Sequence, residues 1–315
     1  MFRALTITLT LMTGWGGHAS HDCSHMGSLL TYYINGVNGP CWPGFLPFIV
    51  IPEIPEGSLS DTFSEDRYIS GDEVATYIET GGAYSPKGER IGDLGPERLL
   101  LVETIHIDLT SKAAKNPNYE VQVEDIEEWI CNNGPIPPRA FIIFNTGWSF
   151  KRGTRYYGPD TVLDLDQLSD ALQFDISSLP FLVPGVLEFA WPGISAEAAE
   201  FLLNCFFIVG IGIDTPSVDA GYRHKPYSSD IPDSRAIRRY LSTYGMYLVH
   251  NILLLDIHLP ARGIFSTLGV FNMRRATRAP VNIYVEYCIK RKPSTTCELA
   301  DYCNVVFGNY PYRRV

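Results

Sequence analysis

The chain has 315 residues, with 25 Lys+Arg against 35 Asp+Glu, a formal net charge of −10, and 45% hydrophobic against 19% charged residues. That balance belongs to a globular chain rather than a disordered one, and the acidic excess disfavours a nucleic-acid partner, which needs a basic face to neutralise phosphates. The seven cysteines include no CxxC pair, so neither a disulfide-dense scaffold nor a zinc-finger pattern is present.

The first elements concern export. Arg3, an uncharged and mostly apolar run over 4–12, and small residues at Gly17 and Ala19 read as a secretory signal over 1–19. The run is shorter than the roughly 20 residues that a membrane-crossing helix needs, and no later segment supplies an anchor, so a secreted, extracellular protein without a membrane partner is expected. Losing 1–19 removes Arg3 and no acid, which makes the mature chain more acidic. An oxidising compartment makes Cys23, Cys41, Cys288, Cys297 and Cys303 disulfide candidates. Cys131 and Cys205 fall in helix-like, partly apolar stretches that suit buried thiols. His21 and His25, with Asp22 between them, could ligate a metal, but they read better as part of a solvated N-terminal segment.

Residues 20–65 are rich in Gly, Pro and Ser and read as an extended segment with short strands. A buried strand is expected over 99–109, with Thr104, His106 and Asp108 on one face and Ile105, Ile107 and Leu109 on the other. A helix over 124–132 ends at the turn Asn133-Gly134-Pro135. A strand over 140–146 stops at Gly147-Trp148, and 150–190 is irregular. Ser195 caps a helix over 196–204. Strands are expected over 206–214, 247–256, 263–272 and 281–287. The sum is one α/β domain with a mixed β-sheet core over 66–287, followed by a Cys-containing tail over 288–315.

Several motifs in one order carry a resemblance: Asp108-Leu109-Thr110, Val123-Glu124-Asp125, Gly134-Pro135-Ile136-Pro137-Pro138, Asn145-Thr146-Gly147-Trp148, Pro192-Gly193-Ile194-Ser195-Ala196-Glu197, Gly212-Ile213-Asp214-Thr215-Pro216 and Leu259-Pro260-Ala261-Arg262-Gly263, preceded by Trp42-Pro43-Gly44. Over about 40–287 the chain resembles the cyclase family that includes bacterial-type kynurenine formamidase and isatin hydrolase. The resemblance implies a swivelling β/β/α fold, a homo-oligomer, and metal-dependent hydrolysis of an amide or lactam, with a bound metal activating water and polarising the carbonyl.

The family supplies ligands through H-x-G-T-H-x-D-x-P-x-H, a later His, and a Glu twelve residues beyond it. Counting back from Glu97-Arg98-Leu99 places the motif on 73–83. There Glu73 and Tyr77 stand for the two His ligands, Glu79 for the Asp, and Ala83 for the proton-transfer His, while Thr76 alone is kept. The later pair falls on Arg238 and His250. His106-Ile107-Asp108 is rejected as the motif, because it follows that segment and position 102 is Val.

Arg238 cannot ligate a cation and brings a fixed charge of its own. An internal pairing of Arg238 with Glu73 and Glu79 in place of a metal is therefore expected, with Tyr77 filling volume and no residue at 83 able to move a proton. No cofactor is expected on this reading. A rebuilt zinc or manganese site on Glu73, Glu79 and His250 is the alternative. No Ser-nucleophile motif occurs. Asp214 and Asp219 bracket a turn after a buried strand, where they would shape a pocket floor; the alternative is that Asp214 caps backbone donors of the turn. Trp42, Trp148 and Trp191 read as core or pocket wall. The leading expectation is a secreted, catalytically inactive relative that binds a small molecule or a protein. The rivals are a remodelled hydrolase and a structural extracellular component.

Overall fold

The computed structural model describes residues 24–34, 40–42, 48–52, 66–151, 156–157, 189–224, 235–255 and 257–289. The leader over 1–19, His21, Cys23, Cys297, Cys303 and most of 150–190 lie outside them.

The described strands are β1 (Ser24–Leu29), β2 (Ile49–Pro52), β3 (Asp66–Ile69), β4 (Tyr77–Glu79), β5 (Val102–Asp108), β6 (Glu120–Val121), β7 (Phe141–Asn145), β8 (Gly193–Ile194), β9 (Gly210–Ile213), β10 (Tyr247–His250), β11 (Ile264–Val270) and β12 (Arg278–Ile289). The helices are α1 (Thr110–Ala113), α2 (Val123–Asn133), α3 (Ala196–Cys205) and α4 (Ala236–Thr243).

The main sheet runs β1-β12-β11-β5-β7-β9-β10-β4, and β4 also pairs with β12. That last pairing closes seven strands into a mixed ring and leaves β1 outside it, on the far half of the long strand β12. The segment β5-β7-β9-β10 is parallel, as helical crossovers require, and the remaining pairs are antiparallel. The architecture is the mixed α/β sheet expected of the fold.

Strand alternation sorts the core into two layers. Ile105, Ile107, Ile142, Phe144, Ile211 and Leu248 pack outward against Ile126, Trp129, Ala199, Leu202, Ile237 and Leu241 of the helices. Val102, Phe141, Ile143, Tyr247, Val249, Ile283 and Val285 fill the ring. Gly210 and Gly212 face inward on β9. A Cβ at Gly210 would lie 2.3 Å from the Tyr247 ring, and one at Gly212 2.7 Å from the Phe141 ring. Glycine there makes room for two aromatic rings in a narrow interior.

The helix boundaries have local causes. Ser195 Oγ accepts from Ala198 N at 3.1 Å and starts α3. Asp125 Oδ2 accepts from Gln122 N at 2.8 Å and starts α2, and Gly134 at φ +84° ends it. Several expected elements differ in extent. The strand expected over 247–256 stops at His250, because Asn251 turns the chain at φ 57°. The strand expected over 281–287 runs from Arg278 to Ile289, since β4 and then β1 extend its pairing along one edge. Helix α4 was not expected, nor was a strand at 77–79.

Candidate functional site

Along β4 and β10 the register sets Tyr77 opposite His250 and Glu79 opposite Leu248. Ile78 and Val249 therefore point into the ring, while Tyr77, Glu79 and His250 face α4. From α4 comes Arg238, whose side chain is wholly buried. Its Nη2 donates to Tyr77 Oη at 2.8 Å and to Pro216 O at 3.0 Å, its Nε to Ser217 Oγ at 2.8 Å, and its Nη1 to Glu79 Oε2 at 3.2 Å. Glu73 Oε1 lies 3.7 Å from the same Nη1. Its guanidinium also sits over the Trp42 ring, 5.6 Å from the centroid.

A second cation completes the group. Arg278, at the start of β12, donates from Nε to Glu79 Oε2 and lies 2.9 Å from Glu73 Oε1. Two buried carboxylates thus face two guanidiniums, the arrangement that buried charge requires. Burial alone would favour a neutral Glu79. Arg238, Arg278 and the hydrogen bonds from Arg278 and Tyr84 outweigh it and hold the carboxyl below its usual range. Burial likewise works against a charged Arg238, but Tyr77, Glu79 and Glu73 hold it firmly charged.

What places Arg238 is Asp219. Helix α4 has no side-chain cap of its own at Arg235. Asp219, on the turn after β9, reaches over instead. Its Oδ1 accepts from Ile237 N at 2.8 Å and its Oδ2 from Arg238 N at 3.2 Å. Ser217 Oγ, which receives the Arg238 Nε bond, also accepts from Asp219 N at 3.0 Å. Asp214 also accepts from backbone donors, but on the segment after β7 rather than on its own turn. Asp214 is fully buried and accepts from Thr146 N, Thr146 Oγ1 and Trp148 N at 2.7–2.9 Å. Burial raises the pKa of both Asp214 and Asp219 to about 6, against those hydrogen bonds.

The remaining sequence candidates fall as follows. Thr76 Oγ1 donates to Asn251 O at 2.6 Å, a tie between the start of β4 and the end of β10. Ala83 closes a short 3₁₀ turn, Gly81–Ala83, and is half-buried, with only a methyl to offer. His250 is fully buried and lies against Tyr77, with ring centroids 4.9 Å apart. His106 is a buried strand histidine whose ring bonds the Leu259 backbone. Cys41, expected as a disulfide candidate, is a thiol instead. It lies 3.7 Å from Trp42 O, and burial with Glu73 nearby pushes its pKa up to about 12.

Sequence reasoning missed Arg278, His224 and Tyr157. Arg278 lies in an Arg-rich stretch with no periodic signal, and only the β12–β4 pairing brings it to Glu79. His224 joins the cluster of Trp42, Trp148, Tyr156, Tyr157 and Trp191, with its ring 5.2 Å from Trp42 and 5.1 Å from Trp191.

The comparisons with known proteins point one way. In fold the chain is similar to isatin hydrolase A from Labrenzia aggregata bound to benzyl benzoate, with TM-score 0.65 and 20% identity over 84% of this chain and 94% of that one. It is similar to isatin hydrolase A from Ralstonia solanacearum, with TM-score 0.62 and 18% identity over 84% and 92%. A structure titled as a potential metal-dependent hydrolase with cyclase activity gives TM-score 0.55 and 15% identity over 85% and 100%. No curated protein matches the chain in sequence. The family model described as "Putative cyclase" matches residues 6–220, well over half of the length, and the chain belongs to that family.

Proposed function

We propose that this chain is a secreted, catalytically inactive member of its family that acts by binding a small molecule. The observation that carries the reading is Arg238. Its buried guanidinium lies against Tyr77, Glu79 and Glu73, the positions where the family resemblance places metal ligands. A guanidinium has no lone pair to give a cation. The two carboxylates are already neutralised by Arg238 and Arg278, so a divalent ion would add charge to a balanced group. The residues present do not fit zinc or manganese, and among the described residues no group of three His, Cys, Asp or Glu converges to hold one. At the proton-transfer position Ala83 has no group that titrates.

Elemental analysis of the purified protein, with turnover assays on N-formylkynurenine and isatin, tests the reading. The expected result is neither stoichiometric zinc or manganese nor turnover. Stoichiometric metal or turnover overturns it in favour of a hydrolase rebuilt on Glu73, Glu79 and His250. That second reading draws on the two nitrogens of His250 and on Glu73 Oε2, which are buried without a hydrogen-bond partner.

The proposed setting is extracellular. The leader-like residues 1–19 support it, and in this reading Cys131 and Cys205 are disulfide-linked rather than the buried thiols expected of them. The mass of the intact protein before and after reduction checks both points.

A further inference from the structure

The two halves of the strand ring are covered unequally. On the parallel half, helices α2, α3 and α4 bury the outward residues of β5, β7, β9 and β10. On the antiparallel half Ile264, Leu268, Ile283 and Val285 fill the ring, so the alternate residues of β11 and β12 point away from it. Those residues meet solvent. Leu29, Phe265, Tyr284 and the nearby Leu101 have between 41% and 65% of their surface exposed. Register joins them into one patch. Leu29 pairs with Tyr284, Tyr284 with Thr267, and Thr267 Oγ1 accepts from Leu101 N at 3.3 Å. In the next row Glu286 pairs with Phe265, and Phe265 with Glu103.

Contiguous apolar surface of this kind marks a contact, and two further features say of what sort. Leu101 holds φ +50°, a left-handed conformation unfavourable for leucine, and still presents its side chain to solvent. Glu103 and Glu286 have no ion-pair partner among the described residues. An apolar face with two unpaired acids suits a partner that is both apolar and basic. A second copy brings the same two acids and sets like charge near like. The chain itself carries the complementary chemistry beside the face. Past Ile289, where β12 ends, residues 290–315 hold Lys290, Arg291, Lys292, Arg313 and Arg314 against only Glu298 and Asp301, with the apolar run Val305-Val306-Phe307 between them. From β1 to β5 is three strand spacings, roughly 14 Å. An extended chain crosses that in about five residues, so 290–315 is long enough to reach every part of the face.

We propose that residues 290–315 dock on the outer face of β1-β12-β11-β5, with the run at 305–307 against Phe265, Tyr284 and Leu101, and Arg313 and Arg314 toward Glu103 and Glu286. Burial of the apolar side chains supplies the attraction, and the charges fix the direction in which the segment lies. Docked there, the segment withholds an apolar sheet face from other chains.

The test uses the full chain. The photo-cross-linking substitution Tyr284→p-benzoylphenylalanine puts a reactive ketone on the face, and the same change at Phe207, exposed beyond the end of α3, is the control. Protein of ordinary isotopic composition is mixed with heavy-isotope protein before illumination, and the linked peptides are mapped by mass. Links from 284 into 290–315 within one chain, and none from 207, are the expected result. Links between a light and a heavy chain give the face to a second copy. Links to another segment of the same chain give it to that segment, and no links leave it bare. Each of these three overturns the proposal. Hydroxyl-radical labelling of the unsubstituted protein is the second measurement and needs no variant to fold. Phe265 is expected to label about threefold less than Phe207, as a docked population of two-thirds requires. Arg313→Glu with Arg314→Glu should raise labelling of Phe265 about twofold or more, through the lost attraction to Glu103 and Glu286. Equal labelling of Phe265 and Phe207, or no response to the charge reversal, overturns the docking.

Discussion

Asn251 donates from Nδ2 to the backbone carbonyl of Ala75 at 2.7 Å, and both residues sit in the left-handed region, at φ 57° and φ 52°. Asparagine tolerates that conformation, whereas alanine adopts it at a cost of about 1–2 kcal/mol. The clasp is reinforced by Thr76 Oγ1 on Asn251 O and by Tyr156 Oη, which donates to Asn251 Oδ1 at 2.8 Å. It fixes the approach of β4 to β10, and so the meeting of Tyr77 with His250. Asn251→Ala should lower stability by about 2–4 kcal/mol, since two buried hydrogen bonds go and their partners are left unpaired. Urea unfolding with an unchanged slope checks this, and a loss under about 1 kcal/mol would mean the clasp is incidental.

The charge group predicts strong coupling. Arg238→Met leaves Glu73 with Arg278 alone and should cost about 3–5 kcal/mol, as for any broken buried pair. Adding Glu79→Gln should cost much less than the sum of the two single changes, with an interaction energy of about 1–3 kcal/mol. A double-mutant cycle by urea unfolding measures it. Additive losses would show that Arg238 and Glu79 do not sense each other.

Asp214 predicts a pH dependence with a definite sign. Its folded pKa is about 6 against an ordinary 3.8. Between those values the folded state holds a proton that the unfolded chain does not, so this group's contribution is largest below about pH 4 and is lost as pH rises through about 6. Asp214→Asn does not titrate. Relative to this variant the wild type should gain about 1–3 kcal/mol between pH 7 and pH 4, at about 1.4 kcal/mol per pKa unit. Urea midpoints across that range, compared between the two proteins, test it.

Gly210→Ala places a methyl against the Tyr247 ring and should cost about 1–3 kcal/mol through overpacking. Gly27→Ala is the control. Its Cβ would meet only Val285 O, at 3.9 Å, so a change within about 1 kcal/mol is expected. Similar losses at both positions would remove the steric explanation.

The strands of the parallel segment were legible because alternation and turn residues are local signals, and α3 because its cap, Ser195, is one residue away. Helix α4 was not, because its cap is Asp219, sixteen positions or more upstream and on another element. The site shows the same division. Family motifs and a residue count singled out Glu73, Tyr77, Glu79, Arg238 and His250, which the fold brings into one group with Ala83 outside its contacts. Arg278 and His224 owe their places to strand pairing and to aromatic packing across the chain, and neither leaves a trace in its own neighbourhood of sequence.

The register of β12 on β4 sets Arg278 directly opposite Glu79, at the seam where the ring of strands closes. The same ion pair therefore serves as latch and as charge balance. A change that freed these carboxylates for another partner would have to release Arg278 from Glu79, and in doing so would loosen the joint that makes the barrel a closed body. The charge balance of this group is thus tied to the architecture, and a stepwise replacement of its members would pass through an open barrel.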